Sequence, residues 1–253
     1  MTKKLIAFDL DDTLAITKSP ISDRMSELFT KLLDKYHVCI ISGGKVEQFH
    51  IQVVDRIDAS AEQLSHLHLM PTCGTRYYRY DVTNESWKLQ YAEDLTPEQK
   101  EHIVEVLKQS AKDQGLWVEE PYGELIEDRN SQITYSVLGQ QAPAEVKYAW
   151  AEKNAETKLK LRELIAERLP DLEVRLGGTT SVDVTRIGID KAYGIQKLMD
   201  ELNIGTDEIL FFGDKLEEGG NDYPVKALGI DSIAVEKWED TAFALEGILG
   251  VTV

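Results

Sequence analysis

The stretch Leu5-Ile6-Ala7-Phe8-Asp9-Leu10-Asp11-Asp12-Thr13-Leu14 decides how the chain reads. A short apolar run, right for a buried strand, ends abruptly in three carboxylates and a hydroxyl. A buried strand of a parallel sheet tolerates acids only at its carboxyl end, where chain and solvent meet. Period-2 alternation predicts Asp9 and Asp11 on the same side there. Two clustered carboxylates repel, so such a pair calls for a divalent cation or a shared proton. Aspartate is also a nucleophile toward phosphorus, with a second carboxylate as general acid and base. A solvated acidic turn is the other reading, and both stand at this point. A calcium loop is excluded: counted from Asp9, Leu14 stands where Gly is needed and Pro20 where a bidentate Glu is needed.

The bulk of the chain narrows the classes. Its 253 residues suffice for a full core and predict about two domains. No apolar run approaches the roughly 18 residues that span a bilayer. Met1-Thr2-Lys3-Lys4 runs straight into the first strand, which leaves no room for a signal peptide and predicts a cytoplasmic protein. The net charge of −17 argues against nucleic acid and anionic membranes as partners. A site for an anionic substrate must therefore be locally positive against the overall field. The two cysteines, Cys39 and Cys73, indicate a reducing compartment and structural thiols. The histidines form no metal-ligand pattern.

Outward from the acidic loop, strands and helices alternate. Pro20 and Ser22 announce a helix whose apolar face is Met25, Leu28, Phe29, Leu32 and Leu33. Val38 to Ile41 is a second buried strand, ending in Ser42-Gly43-Gly44. A helix with Val46, Phe49, Val53 and Ile57 follows, then a strand at Leu67 to Met70. This alternation predicts a parallel α/β sheet. Amides at the helix start after Ser42, with its hydroxyl, suit a phosphate; a plain tight turn is the alternative.

After Met70 the texture changes. Tyr77-Tyr78-Arg79-Tyr80 and Trp87 to Tyr91 read as an aromatic hairpin, whose tyrosines pack a sheet. Thr96-Pro97-Glu98-Gln99 is a capping box with Pro at the first helical position. Short strands are expected at Leu116–Val118, Leu125–Glu127 and Gln132–Leu138, a polar helix over 143–168, and strands at Leu172–Leu176 and Thr180–Thr185. The pattern predicts an α+β module at 82–183, inserted in a Rossmann-type α/β core made of 1–81 and 184–253. The core resumes with a helix opening at Asp190-Lys191, an apolar strand Ile209 to Phe212 ending in Gly213-Asp214, the loop Gly219-Gly220-Asn221-Asp222, a strand at Ser232 to Val235 and a helix over 239–249. Glycine-rich nucleotide motifs are absent.

Core strands thus end in Asp9 and Asp11, in Ser42 and in Asp214, and a parallel sheet brings these ends to one edge. Lys191 opens a helix entering that edge. Carboxylates from two strands, a phosphate oxygen and waters suit octahedral Mg²⁺.

The pattern Asp9-x-Asp11-x-Thr13, then Ser42, Lys191 and Gly213-Asp214 with Asn221-Asp222 resembles the haloacid dehalogenase phosphotransferase superfamily. The insert resembles its type IIB cap. Within that group the chain is most similar to eukaryotic-type phosphomannomutases: Phe211 to Lys215, Gly219 to Asp222, Gly177-Gly178 with Ser181 to Val184, and Glu127 to Asn130 carry the likeness. The resemblance implies a Mg²⁺-dependent phosphoryl transfer on a hexose phosphate, mannose 6-phosphate to mannose 1-phosphate, through an aspartyl-phosphate. It also implies a place in GDP-mannose biosynthesis and a homodimer formed through the cap.

The resemblance also implies residue roles. Asp9 would be nucleophile and metal ligand. Asp11 would be general acid and base, with its backbone carbonyl on the metal. Asp214 would complete the metal site, with Asn221 and Asp222 supporting its loop. Ser42, Gly43 and Lys191 would hold the transferring phosphoryl group. Lys18, Arg129, Asn130, Lys147, Ser181 and Asp183 would bind substrate.

Four positions depart from the family's pattern. Asp12 stands where the family has glycine, and Lys18, Gln140 and Lys147 stand where it has arginines for the distal phosphate. Lysine lacks the bidentate fork of arginine, and glutamine lacks the charge. A sugar-phosphate phosphatase of the same chemistry therefore stays open, as does a non-catalytic sensor of sugar phosphate or metal that kept the fold.

Overall fold

The computed structural model describes residues 2–251. In chain order the strands and helices are β1 (Leu5–Phe8), α1 (Asp23–Leu33), β2 (His37–Ile41), α2 (Val46–Gln52), α3 (Ala61–Ser65), β3 (Leu67–Met70), β4 (Arg76–Asp81) and β5 (Ser86–Ala92). Next come α4 (Pro97–Asp113), β6 (Ile126–Asp128), β7 (Ile133–Ser136), α5 (Ala144–Arg168), β8 (Leu172–Leu176) and β9 (Ser181–Arg186). The chain closes with α6 (Lys191–Leu202), β10 (Ile209–Gly213), α7 (Tyr223–Ala227), β11 (Asp231–Ala234) and α8 (Trp238–Val251). Two compact units result, Met1–Ala92 with Asp190–Val253, and Glu93–Ile189.

The first unit holds a seven-stranded sheet in the order β11-β10-β1-β2-β3-β4-β5. The first five strands of that order run parallel, and β4 and β5 are antiparallel additions at one edge. Both faces of β1 are buried, which is why its sequence is a continuous apolar run. Ile6 and Phe8 pack with Phe29 of α1, Phe49 of α2 and Leu245 of α8. Leu5 and Ala7 pack on the other face with Ile195 and Leu198 of α6 and Val225 of α7. Side-chain caps set where the helices begin. Ser22 Oγ accepts the Met25 N–H to start α1, and Asp190 Oδ1 accepts the Tyr193 N–H to start α6.

In the second unit a four-stranded antiparallel sheet, β6-β7-β9-β8, carries two helices on one face. Ile133, Tyr135, Val182 and Val184 meet Ile103 and Leu107 of α4 and Leu161 and Ile165 of α5. Alternation sends the intervening residues to the opposite, polar face. There Glu127, Thr134, Asp183 and Arg175 fall in one cross-strand row. The expected capping box forms at Thr96 and Gln99.

The structure moves several expected boundaries. The unit limits fall at 92/93 and 189/190, in place of 81/82 and 183/184. A limit at 81/82 would cut the aromatic hairpin; β5 instead pairs with β4 along its length and so stays with the core sheet. Strand β9 pairs with both β7 and β8 to Arg186, which keeps it in the insert's sheet. Leu116–Val118 is not a strand: the segment leaves α4 as irregular chain, and Trp117 stacks on Tyr135. Its aromatic and β-branched content is spent on packing against a sheet. Helix α2 is seven residues long, and Val53 and Ile57 lie beyond it.

Candidate active site

Register brings the predicted residues to one edge of the core sheet. Phe8 is level with Ile40 of β2 and Phe212 of β10, so Asp9 emerges beside Ile41 and Gly213. The Asp9 N–H donates to the Phe212 carbonyl at 3.0 Å, the last rung before the strands part. Asp9 continues the Leu5–Ala7 side of β1, toward α6. There Lys191 Nζ donates to Asp9 Oδ1 at 2.5 Å and to Asp222 Oδ1 at 2.6 Å. All three side chains are buried.

Asp214 joins the cluster from the end of β10. Carboxylate oxygens of Asp9, Asp214 and Asp222 lie within 4.8 Å of one another. Asp222 Oδ2 also accepts the Lys215 N–H, and Lys215 Nζ lies 2.8 Å from Asp214 Oδ2. A Cβ on Gly213 would stand 2.6 Å from the Asp222 carboxylate, so glycine at this strand end admits it. Asp222, expected only to support the loop, is thus a member of the acidic cluster itself.

Three carboxylates face two ammonium groups here, and the titration of the cluster reflects that imbalance. Burial pushes the Asp9 carboxyl well above its ordinary value; Lys191 pulls it back, while Asp222 and Asp214 push it further up. Burial raises Asp214 as well, against the pull of Lys215. Burial disfavours the charge on Lys191, but Asp222 and Asp9 more than offset this and raise its pKa. Asp214 Oδ1 and Asn221 Oδ1 are buried with no hydrogen-bond partner among the described residues. An all-oxygen donor set, an excess of negative charge and an orphaned carboxylate oxygen fit a hard divalent cation.

Asp11 is not in this cluster, contrary to the expected alternation. Strand pairing stops at Phe8, and the Leu14 and Ala15 N–H groups both turn back to the Leu10 carbonyl. Asp11 is thereby turned toward α2, where Gln48 and Gln52 bond its carboxylate at 3.1 and 3.2 Å. The Lys18 backbone N–H adds a third bond at 2.7 Å. Asp12 has φ 64°, and its Oδ1 accepts the Thr17 N–H. Aspartate is one of the few residues besides glycine that adopts this left-handed conformation readily.

Ser42 is buried at the end of β2 and its Oγ accepts the Gly44 N–H at 3.3 Å. Gly43 is half-buried between them. Helix α2 begins at Val46, with Lys45 as an N-cap whose side chain makes no capping bond, so the amides beside Ser42 belong to the turn that precedes the helix.

The remaining predicted residues lie as follows. Lys18 is exposed on the loop after β1, with φ 55°. The others lie in the second unit. Arg129 is buried, donating to Glu127 Oε2 at 2.7 Å and to Gln140 Oε1 at 3.4 Å. Asn130 is exposed in a left-handed turn. Lys147 is buried on α5 and donates to the Gln140 carbonyl. Ser181 and Asp183 share the polar face of their sheet, and Thr134 Oγ1 donates to Asp183 Oδ1 at 2.7 Å.

Sequence reasoning missed Gln48 and Gln52; their i, i+4 spacing on the helix after the second strand was the available signal. It also missed Lys158, buried on α5 with its ammonium on the Gly178 and Thr179 carbonyls. Nothing in the local pattern of α5 marks that residue.

Among the described residues no helix is long and apolar enough to cross a membrane. In solved structures, the chain is similar to a haloacid dehalogenase-like hydrolase from Bacteroides thetaiotaomicron, with a TM-score of 0.61 at 18% identity over 98% of this chain and 100% of that one. It is similar also to the IMP-nucleotidase of Plasmodium falciparum, with a TM-score of 0.72 at 16% identity over 100% of this chain and 62% of that one. These likenesses establish a haloacid dehalogenase-like fold. In sequence it is 27% identical to the phosphomannomutase of Saccharomyces cerevisiae over 87% of this chain and 84% of that protein. It is 29% identical to that of Schizosaccharomyces pombe over 88% and 85%. The family model described as eukaryotic phosphomannomutase matches residues 25–250. With that match over most of its length, the chain belongs to the eukaryotic phosphomannomutase family.

Proposed function

We propose that this chain interconverts hexose 6- and 1-phosphates, mannose 6-phosphate and mannose 1-phosphate first among them, by way of an aspartyl-phosphate on Asp9. One observation carries the reading: a buried carboxylate at a parallel strand end, bonded to a buried lysine and crowded by two more acids, in a member of this family. Phosphoryl transfer is mostly positioning and charge neutralisation, and these groups supply both. Asp9 attacks phosphorus. Asp11 gives a proton to the departing sugar oxygen and later takes one from the acceptor hydroxyl. Lys191, Ser42 and the Gly43 amide hold the oxygens of the moving group. Asp9, Asp214 and the Asp11 backbone carbonyl would hold Mg²⁺, with Asn221 and Asp222 shaping the loop; the cation would supply Lewis-acid neutralisation of phosphoryl charge. Lys18, Arg129, Asn130, Lys147, Ser181 and Asp183 would bind the substrate's sugar and distal phosphate. On the family resemblance we also read the enzyme as cytoplasmic and as dimeric through its second unit, which light scattering of the purified chain tests.

A second reading, a sugar-phosphate phosphatase, draws on one observation: Gln140, without charge, is the side chain Arg129 meets where the family places another arginine. Incubation of mannose 1-phosphate with Mg²⁺ and a trace of hexose 1,6-bisphosphate separates the two. Mannose 6-phosphate as main product supports the mutase; free phosphate without isomer overturns it in favour of the phosphatase.

A further inference from the structure

The clamp on Asp11 has no part in the transfer scheme just described. Oδ1 accepts the Lys18 N–H and Gln52 Nε2, and Oδ2 accepts Gln48 Nε2. Gln48 and Gln52 stand one turn apart on α2, so both amides reach one carboxylate. Gln52 is buried, and its Nε2 donates a second bond to the Ser19 carbonyl at 2.9 Å while Oε1 has no partner among the described residues. Rotating that amide by half a turn would aim Oε1 at two acceptors. The orphaned oxygen is thus what it costs to serve Asp11 and Ser19 together, and orphaned buried acceptors are rare in folds selected for stability alone. Gly44 makes room for the other arm: a Cβ there would stand 2.5 Å from Gln48 Oε1.

The clamp and the acidic cluster lie toward opposite faces of β1. Helix α2 packs with Ile6 and Phe8, and α6, which carries Lys191, packs with Leu5 and Ala7. Asp11 is held on the first side and Asp9 on the second.

We infer that Gln48 and Gln52 are positioning residues that hold Asp11 off the aspartyl-phosphate between half-reactions, and so set how that intermediate divides between a sugar hydroxyl and water. The inference rests on the aspartyl-phosphate reading above. In the first half-reaction an Asp9 oxygen bonds to phosphorus, the bond from phosphorus to the sugar oxygen breaks, and that oxygen takes the proton from Asp11. In the second, an acceptor hydroxyl gives its proton to the Asp11 carboxylate and its oxygen bonds to phosphorus. The bond from phosphorus to Asp9 breaks, and its electron pair returns to the Asp9 carboxylate. Water balances the second step equally well and releases inorganic phosphate. With Asp11 in the clamp, water at Asp9 has no base. Lys18 links release to substrate: its side chain is a proposed phosphate ligand, and its backbone N–H is one of the three donors. Binding energy from the sugar phosphate is then spent on freeing Asp11, as in other enzymes that assemble their site only around the correct substrate.

The test uses the full chain and its Gln48→Met, Gln52→Met, Gly44→Ala and Gln48→Lys variants, with mannose 1-phosphate, hexose 1,6-bisphosphate and Mg²⁺. The readout is the ratio of inorganic phosphate to mannose 6-phosphate. Losing one bond to a charged group is expected to raise that ratio about tenfold in both Met variants. Gly44→Ala raises it as well, by displacing Gln48. Gln48→Lys keeps a donor opposite Asp11 and stays near the parent ratio. An unchanged ratio, or a proportional fall of both products, overturns the inference. Should Gln52→Met not fold, the half-exposed Gln48 and the Gly44 beside it carry the test. If the parent chain forms no isomer, the mutase reading fails by itself; the clamp is then read from phosphate release, which the Met variants speed about tenfold. Release at the parent rate or slower overturns it.

Discussion

Lys191 and Asp9 stand 182 positions apart in the chain and meet at 2.5 Å, with Asp222 2.6 Å away on the other side of the same ammonium. One buried cation therefore serves two buried carboxylates, and a third, Asp214, lies within 4.8 Å of them. That ratio of charges organises both the chemistry and the stability of this edge of the sheet.

Replacing Lys191 with Met leaves Asp9 and Asp222 facing each other without their cation. Breaking a buried ion pair by removing one partner costs about 3–5 kcal/mol. We expect a large drop in the midpoint of urea denaturation, and a fall in phosphoryl transfer of about 10²–10³ from loss of a preorganised charge. A variant as stable as the parent would show that the carboxylates are neutralised from elsewhere.

Asp9→Asn has the opposite effect on stability. Burial and the neighbouring Asp222 and Asp214 disfavour the Asp9 carboxylate, which is why its pKa is raised. The neutral isostere removes that penalty. In metal-free buffer the melting temperature is expected to rise, by about 2–4 °C for each kcal/mol gained, while phosphoryl transfer disappears. Calorimetry beside a turnover assay checks both halves of the prediction.

Divalent cation is expected to stabilise the fold through Asp9 and Asp214. A ligand at a hundredfold excess over its Kd adds about 2.7 kcal/mol. Melting followed with and without Mg²⁺ measures this, and chelation reverses it. In Asp214→Ala the dependence on Mg²⁺ disappears, because the orphaned Oδ1 has gone. Persistence of the full shift in that variant would place the cation elsewhere.

A second buried titratable group sits away from the site. His68 Nε2 lies 3.0 Å from His37 Nδ1, and His68 Nδ1 lies 2.8 Å from the Tyr77 hydroxyl. Burial, followed by His37, Arg79 and His66, pushes the His68 imidazole well below its usual 6.5. His37 is lowered too, by burial first, then by His66 and Arg79. A depressed pKa in the fold means that the unfolded chain binds the proton first. Stability is therefore full above about pH 6.5 and is lost as pH falls from there toward the folded values. Each such histidine contributes at most about 1.4 kcal/mol per pH unit to the slope. Urea midpoints between pH 7.5 and 5.5 measure it. His68→Gln, which keeps a donor and an acceptor, is expected to flatten the slope.

The elements that carry the chemistry were readable because each is local. The run Leu5 to Phe8 could only be a strand buried on both faces, and acids directly after it could only lie at that strand's end. Ser22, Thr96 and Asp190 announce their helices by their own hydroxyls and carboxylates. The order of Asp9, Ser42, Lys191 and Asp214 carries the family likeness. Departures at Asp12, Lys18, Gln140 and Lys147 were equally visible in the sequence.

What only the tertiary structure decided is which groups meet, because hydrogen bonds across a sheet and between helices join residues far apart in the chain. Strand β5 could have opened the insert by its composition, yet its pairing with β4 puts it in the core sheet. Gly74 and Gly194 look like any glycines, but the backbone of the turn at Gly74 presses against α6 where a side chain on either would collide. That contact sets where the helix bearing Lys191 lies. Asp9 and Asp11, two positions apart, promised a shared side by alternation. The chain turns at Leu10, and each acid goes to a different helix: Asp9 to the ammonium of Lys191, Asp11 to the amides of Gln48 and Gln52. Sequence determined the residue types and their order; the end of strand pairing at Phe8, a tertiary fact, decided which way each carboxylate faces.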